Sequence, residues 1–217
     1  MIQKPIIIIG TGGHAKVLID TLKSQSANII GVTNPAPELY GKDIMGIPII
    51  GDDESILQYG INDIVLVNGI GMASNFSRRM EIYDTFKKRG YIISKVIHSS
   101  AVISPEACLA EGVQVMAGAI IQALATIGIN TIINTKASVD HDCKIGNHCH
   151  VAPGATISGG VTIEDNVFVG AGAVIIQGIH IGASCTVGAG TVVTENVMEG
   201  TTVVGSPARV VNKTFNN

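Results

Sequence analysis

The stretch 139–155, VDHDCKIGNHCHVAPGA, holds His141, His148 and His150, three of the six histidines in the chain. Imidazole titrates near neutrality and is also a common zinc ligand, so the cluster suits proton transfer, metal binding or a merely polar surface. His141 is followed by Asp142, and a carboxylate beside an imidazole favours the protonated ring and so makes the neutral ring a stronger base. A second group capable of chemistry lies near the start, where the run Ile6–Ile9 ends in Gly10-Thr11-Gly12-Gly13-His14-Ala15. Such glycines allow a tight turn and let backbone N–H groups at a helix start approach phosphates. A dinucleotide site would also need an acid about twenty positions further on. The second strand instead ends Val32-Thr33-Asn34-Pro35. Asn68-Gly69-Ile70-Gly71 forms another glycine turn after the third strand, and a purely structural reading of both turns stays open.

Two halves of different period must position these groups. In the first, Ile6–Ile9, 29–32, 47–50 and 63–67 read as strands, while 14–24 and 76–89 have helical character and the second helix stops at Gly90. Strand, glycine turn, helix, strand begins a Rossmann-like parallel sheet. In the second half, stepping by six from Ile97 to Val193 meets seventeen residues, every one Ile, Val or Leu. Four residues after each comes a small or aliphatic one, such as Ala137, Cys143, Cys149 and Cys185. Glycine often follows the stepped position, as at Gly128, Gly146 and Gly170. Neither a helix nor a plain strand has period six. A coil of three short flat strands does, with eighteen residues per turn, one large and one small side chain inward per side, and corners that accept glycine. Cys143, Cys149 and Cys185 then fill small inward slots as hydrophobes.

The totals agree with a core of stacked aliphatic layers: aromatics are 4%, there is no Trp, and glycine numbers 26. A formal charge of −3 points away from nucleic acid or an anionic membrane as partner. The four cysteines form no CxxC pair and imply no disulfide framework. The opening MIQKPIIIIGTGGHAK reads as a buried strand rather than a signal peptide, and no apolar run reaches the roughly eighteen residues of a membrane span. A cytoplasmic protein is expected.

The hexapeptide repeat, with the tail Val204-Gly-Ser-Pro-Ala-Arg209, resembles the left-handed β-helix acyltransferases. With the N-terminal GTGGHA turn it resembles the sugar acetyltransferases that include sialic acid O-acetyltransferases and bacillosamine-type nucleotide-aminosugar N-acetyltransferases. The resemblance rests most on 134–143 and on His150-Val-Ala-Pro-Gly. It implies an α/β Rossmann-like domain over 1–94 followed by an all-β left-handed parallel β-helix over 95–217. It implies acetyl-CoA as co-substrate, no required metal, and a homotrimer with the active site between adjacent prisms. By resemblance, His141 is the general base, Asp142 supports it, and Asn134 lies in the same catalytic region. His150 lies near the thioester, and Gly159, Gly170 and Ala189 line the CoA groove. Gly10, Gly12, Gly13, His14, Thr33, Asn34, Gly69 and Gly71 are expected to face a UDP-linked 4-amino-4,6-dideoxy sugar. Many relatives carry Asp-Asp where Thr33-Asn34 stands. The chemistry agrees: acetyl transfer to an amine needs a base with pKa near the working pH, and a backbone N–H can meet the oxyanion. Rival readings are O-acetylation of a free sugar such as a sialic acid, a zinc hydratase resembling the gamma-type carbonic anhydrases, dinucleotide binding, and a non-catalytic scaffold.

Overall fold

The computed structural model describes residues 4–72 and 76–211. The chain divides into two compact units, Met1–Val96 and Ile97–Asn217.

The first unit is an α/β sheet. Its elements are β1 (Ile6–Ile9), α1 (Gly13–Ser24), β2 (Ile29–Thr33), β3 (Asp43–Ile44), β4 (Ile47–Gly51), β5 (Val65–Asn68) and α2 (Phe76–Lys88). The strand order is β3-β4-β2-β1-β5. The pairs β4-β2, β2-β1 and β1-β5 are parallel, and β3 adds an antiparallel edge. All four isoleucines of β1 are buried, as a central parallel strand covered on both faces requires. The strand after β1 in sequence pairs on one side of it and β5 pairs on the other. The turns after β1 and β5 therefore part at a topological switch point, where open α/β sheets bind ligands. α2 ends one residue short of the expected 89, and Gly90 beyond it takes a left-handed φ of +89°.

The second unit is a left-handed parallel β-helix of two-residue strands. Val102–Ile103, Ile120–Ile121, Ser138–Val139, Thr156–Ile157, Val174–Ile175 and Val192–Val193 stack in one sheet, each eighteen residues after the last. The other two sides stack at the same interval until the end, where Thr186 pairs with Thr202, a step of sixteen (202 − 186). Thr202–Val204 then pairs antiparallel with Arg209–Val210. From Val115 to Val193 every stepped residue is at most 3% exposed, and Cys143, Cys149 and Cys185 occupy the small inward slot.

The corners refine the expectation about glycine. Three residues after each stepped position, from Gly112 to Gly190, the backbone is left-handed, and that place is held by Gly, Asn, Asp, His, Lys, Leu or Ser. The glycine directly after a stepped residue has a different cause. A Cβ at Gly128 would come within 2.5 Å of the Gly146 carbonyl one coil away, so the next coil itself excludes any side chain.

Candidate active site

Asp142 occupies one left-handed corner, with φ +59°. Asp tolerates this conformation better than most residues, and it turns the carboxylate back along the chain. Asp142 Oδ2 lies 2.7 Å from His141 Nδ1, and the His141 backbone N–H donates to Asp140 Oδ1 at 2.7 Å. Hydrogen bonding to Asp142 is the main cause that raises the His141 pKa above the ordinary histidine value, with the charge of Asp140 adding to it. With Nδ1–H donated to Asp142, the basic lone pair is on Nε2. That atom points at the next coil: a Cβ on Gly159 would lie 2.6 Å from it. The structure thus brings His141, Asp142 and Gly159 together, with the imidazole occupying the space that a side chain at 159 would need. The pair is exposed, at 55% for His141 and 57% for Asp142, so the ring opens to solvent where an acceptor could approach.

Asn134 and His150 form a second pair. The Asn134 Oδ1 accepts the Thr135 N–H at 2.8 Å, which directs its amide nitrogen to His150 Nε2 at 3.0 Å. Donation to Nε2 places the ring proton on Nδ1. His150 is only 7% exposed and meets Phe168 edge-on at 5.3 Å, so it is a positioned ring and not a wet one. His148 is a corner residue, φ +54°, with Nδ1 3.0 Å from the amide of Asn130 one coil away. His180 pairs with Glu164 at 3.0 Å. The three clustered histidines therefore turn to three different partners. Among the described residues, no group of three or more His, Cys, Asp or Glu side chains converges on a common point. Gly170 and Ala189 meet as adjacent coils: a Cβ at Gly170 would lie 2.5 Å from the Ala189 nitrogen, which accounts for that glycine by packing.

In the first unit the predicted glycines separate into two kinds. A Cβ at Gly69 would collide with the Ile9 carbonyl at 2.6 Å, and one at Gly10 with Ile70 at 2.8 Å on a backbone of φ +98°. These two close the turns. Gly12 and Gly13 have open space where a side chain would be, and α1 starts there with no side-chain hydrogen bond capping its first N–H groups. His14 is half-buried with its Cβ against Gly71. Thr33 is a correction. It is fully buried, its hydroxyl donating to Asp53 Oδ1 at 2.6 Å and accepting from the Gly10 N–H at 3.3 Å, so it ties loops together instead of facing a ligand. Asn34 is likewise engaged, donating to the Thr11 hydroxyl and accepting the Ala36 N–H at 2.8 Å.

Sequence reasoning missed Arg79. It is 1% exposed, and its Nη1 donates to the carbonyls of Asn68 at 3.0 Å and Ile70 at 2.7 Å, pinning the turn after β5. Burial pushes its pKa down to about 9. A charged residue on a helix ordinarily marks the wet face, so no local signal shows that Arg78 points outward and Arg79 inward.

Both units are similar to known proteins. Residues 5–86 match the PglD N-terminal domain, 124–159 the bacterial transferase hexapeptide (six repeats), and 160–195 the hexapeptide repeat of succinyl-transferase. The solved structure of PerB from Caulobacter crescentus, in complex with CoA and GDP-perosamine, is 35% identical with a TM-score of 0.87, over 98% of this chain and 99% of that one. The chain belongs to the hexapeptide-repeat nucleotide-aminosugar acetyltransferases. The acetyltransferase domain of PglB from Neisseria gonorrhoeae, in complex with acetyl coenzyme A, is 29% identical with a TM-score of 0.88, over 96% of this chain and 100% of that one. GDP-perosamine N-acetyltransferase of Escherichia coli O157:H7 is 41% identical over 73 residues, which is 31% of this chain and 33% of that protein. This match therefore spans about a third of that curated relative. No helix among the described residues is long and apolar enough to cross a membrane.

Proposed function

We propose that this protein transfers the acetyl group of acetyl-CoA to the 4-amino group of a nucleotide-linked 4-amino-4,6-dideoxy sugar. The observation that carries this reading is the His141–Asp142 pair, with Nε2 directed at the bare backbone of Gly159. The neutral amine attacks the thioester carbonyl and a C–N bond forms. His141 Nε2 takes the proton that the nitrogen loses, the C–S bond breaks, and CoA leaves as a thiolate that is then protonated. Asp142 holds the ring and stabilises the imidazolium. His150, fixed by Asn134, positions the thioester, and Gly159, Gly170 and Ala189 border the pantetheine path. The unit over 1–94 holds the nucleotide sugar, its diphosphate on the N–H groups of Gly12 and Gly13. The prism over 95–217 assembles as a homotrimer with CoA between subunits, in the cytoplasm.

The family resemblance implies a UDP-linked sugar. A GDP-linked sugar is supported by the Caulobacter structures in complex with GDP-perosamine, which are 34% and 35% identical over 98% of this chain. GDP-linked amino sugar is therefore the preferred substrate class. Two of the Caulobacter structures have one histidine replaced, by Asn or Ala, and still hold CoA and GDP-perosamine. The test is thiol release from acetyl-CoA with GDP- and UDP-linked 4-amino-4,6-dideoxyhexoses and with free sialic acid, the product identified by mass spectrometry. Release with an N-acetylated GDP-sugar is expected, and His141→Ala should lose about 10²–10⁴-fold in kcat while still binding CoA. Turnover only with free sialic acid would replace the reading by O-acetylation, and wild-type turnover in His141→Ala would remove the mechanism.

A further inference from the structure

A carboxylate at the end of the second strand is how Rossmann-like sheets hold a ribose, and β2 ends without one. The fold brings one from elsewhere. Thr33 of β2 pairs with Gly51 of β4, which sets the turn after β4 beside the end of β2. Asp53 in that turn receives the Thr33 hydroxyl on Oδ1 at 2.6 Å and the Arg78 Nη2 on Oδ2 at 3.1 Å. Thr33 in turn accepts the N–H of Gly10, so a single hydroxyl links this carboxylate to the glycine turn after β1. The carboxylate is held on two sides but not enclosed. Its side chain keeps 26% of its exposure and borders an open cavity of about 280 Å³, lined also by the acids Asp52 and Glu54, by Arg78, and by Pro35, Ile82 and Phe86. An ionised carboxylate has about four acceptor sites, of which these contacts use two.

From this placement we infer that Asp53 is the specificity residue for the ribose of the nucleoside diphosphate, its free lone pairs receiving the 2′,3′-diol. This rests on the reading that the first unit binds a nucleotide sugar. A carboxylate accepts hydrogen bonds and repels phosphate, so it suits the diol and leaves the diphosphate to Gly12 and Gly13. The contact is independent of the base and applies to GDP and UDP alike.

The test measures calorimetric binding of GDP, UDP and their 2′,3′-dideoxy counterparts to the full chain, wild type and Asp53→Asn. Asn keeps Oδ1 for Thr33, and melting temperatures check that the loop survives. The wild type should bind the ribose form about ten- to a hundredfold more tightly than the dideoxy form, as a charge-assisted hydrogen bond supports. In Asp53→Asn that ratio should fall to within about threefold of unity, while affinity for the dideoxy form is kept. A variant that binds both forms more weakly but keeps the wild-type ratio shows that Asp53 only ties loops, and overturns the inference alone. A wild type that binds neither GDP nor UDP overturns the nucleotide reading and this inference with it.

Discussion

Replacing Gly159 by Ala tests the active-site geometry without touching a reacting group. The added Cβ would lie 2.6 Å from His141 Nε2 and 2.7 Å from Cε1. Comfortable separation between such atoms is about 3.5 Å, so the ring must retreat by about 0.9 Å. Gly159 does not have a left-handed φ, so the backbone accepts alanine. The ring is more than half exposed and can swing away without disturbing the prism. Stability should therefore change by no more than about 0.5 kcal/mol, as for surface substitutions. The swing breaks the 2.7 Å contact with Asp142 that orients Nε2. A misplacement of about 1 Å in a reacting group costs on the order of 10²-fold in rate. The expected result is a kcat about a hundredfold lower, at saturation with both substrates, and an unchanged melting temperature. The double variant His141→Ala/Gly159→Ala sharpens the test, because a methyl with no ring to displace should cost no further rate. Wild-type kcat in Gly159→Ala, or a further hundredfold loss in the double variant over His141→Ala, would refute the account.

Two further outcomes follow from the same contacts. The proposed base His141 would act as neutral imidazole, so the acid limb of kcat/KM is expected to fall where His141 is protonated. Asp142 raises that pKa, and Asp142→Asn should move the limb to lower pH, toward the ordinary histidine value, along with a lower plateau. A limb that stays in place or moves up in a pH–rate profile contradicts the assignment. For the thiols, a disulfide reagent should modify exposed Cys108 first, while Cys143, Cys149 and Cys185 react only on unfolding. Burial pushes the Cys149 thiol up to about 12, so almost none of it is thiolate in the native prism. Native labelling of Cys149 as fast as Cys108 would contradict the inward slot.

The prism was legible in the sequence because its register is arithmetic. A repeat of six on three sides places residue n + 18 directly over n, so Gly159 over His141 follows from counting, and the structure puts them there. The counting fails at Thr186 and Thr202, where the chain leaves the repeat. In the α/β unit the elements were legible but the contacts between loops were not. Nothing local says that Thr33 lies opposite Gly51, so neither the burial of Thr33 nor the arrival of Asp53 could be counted out. The inward turn of Arg79 depends in the same way on two carbonyls of a loop eleven and nine residues upstream.

The same geometry accounts for where chemistry enters the prism. From Val115 to Val193 the stepped residue and the one four places later face the packed interior; in the later slot the Thr131 hydroxyl donates to the Gly146 carbonyl at 2.8 Å, while the Thr191 hydroxyl is buried without a hydrogen-bond partner. The residue between them, at the left-handed corner, points away from the core and is selected by backbone conformation, not by volume. Asp and Asn tolerate that conformation better than most other residues with a side chain. Asp142 therefore satisfies a corner that an acid can hold at little conformational cost, and in doing so sets a carboxylate 2.7 Å from the preceding histidine. His148 stands at the equivalent corner of the next block, but the residue after it is Cys149, which must face inward, so no acid can follow it. A histidine one place before the corner can acquire an acidic neighbour there. His148, at the corner itself, meets the Asn130 amide one coil away at 3.0 Å, whereas His141 meets a carboxylate at 2.7 Å.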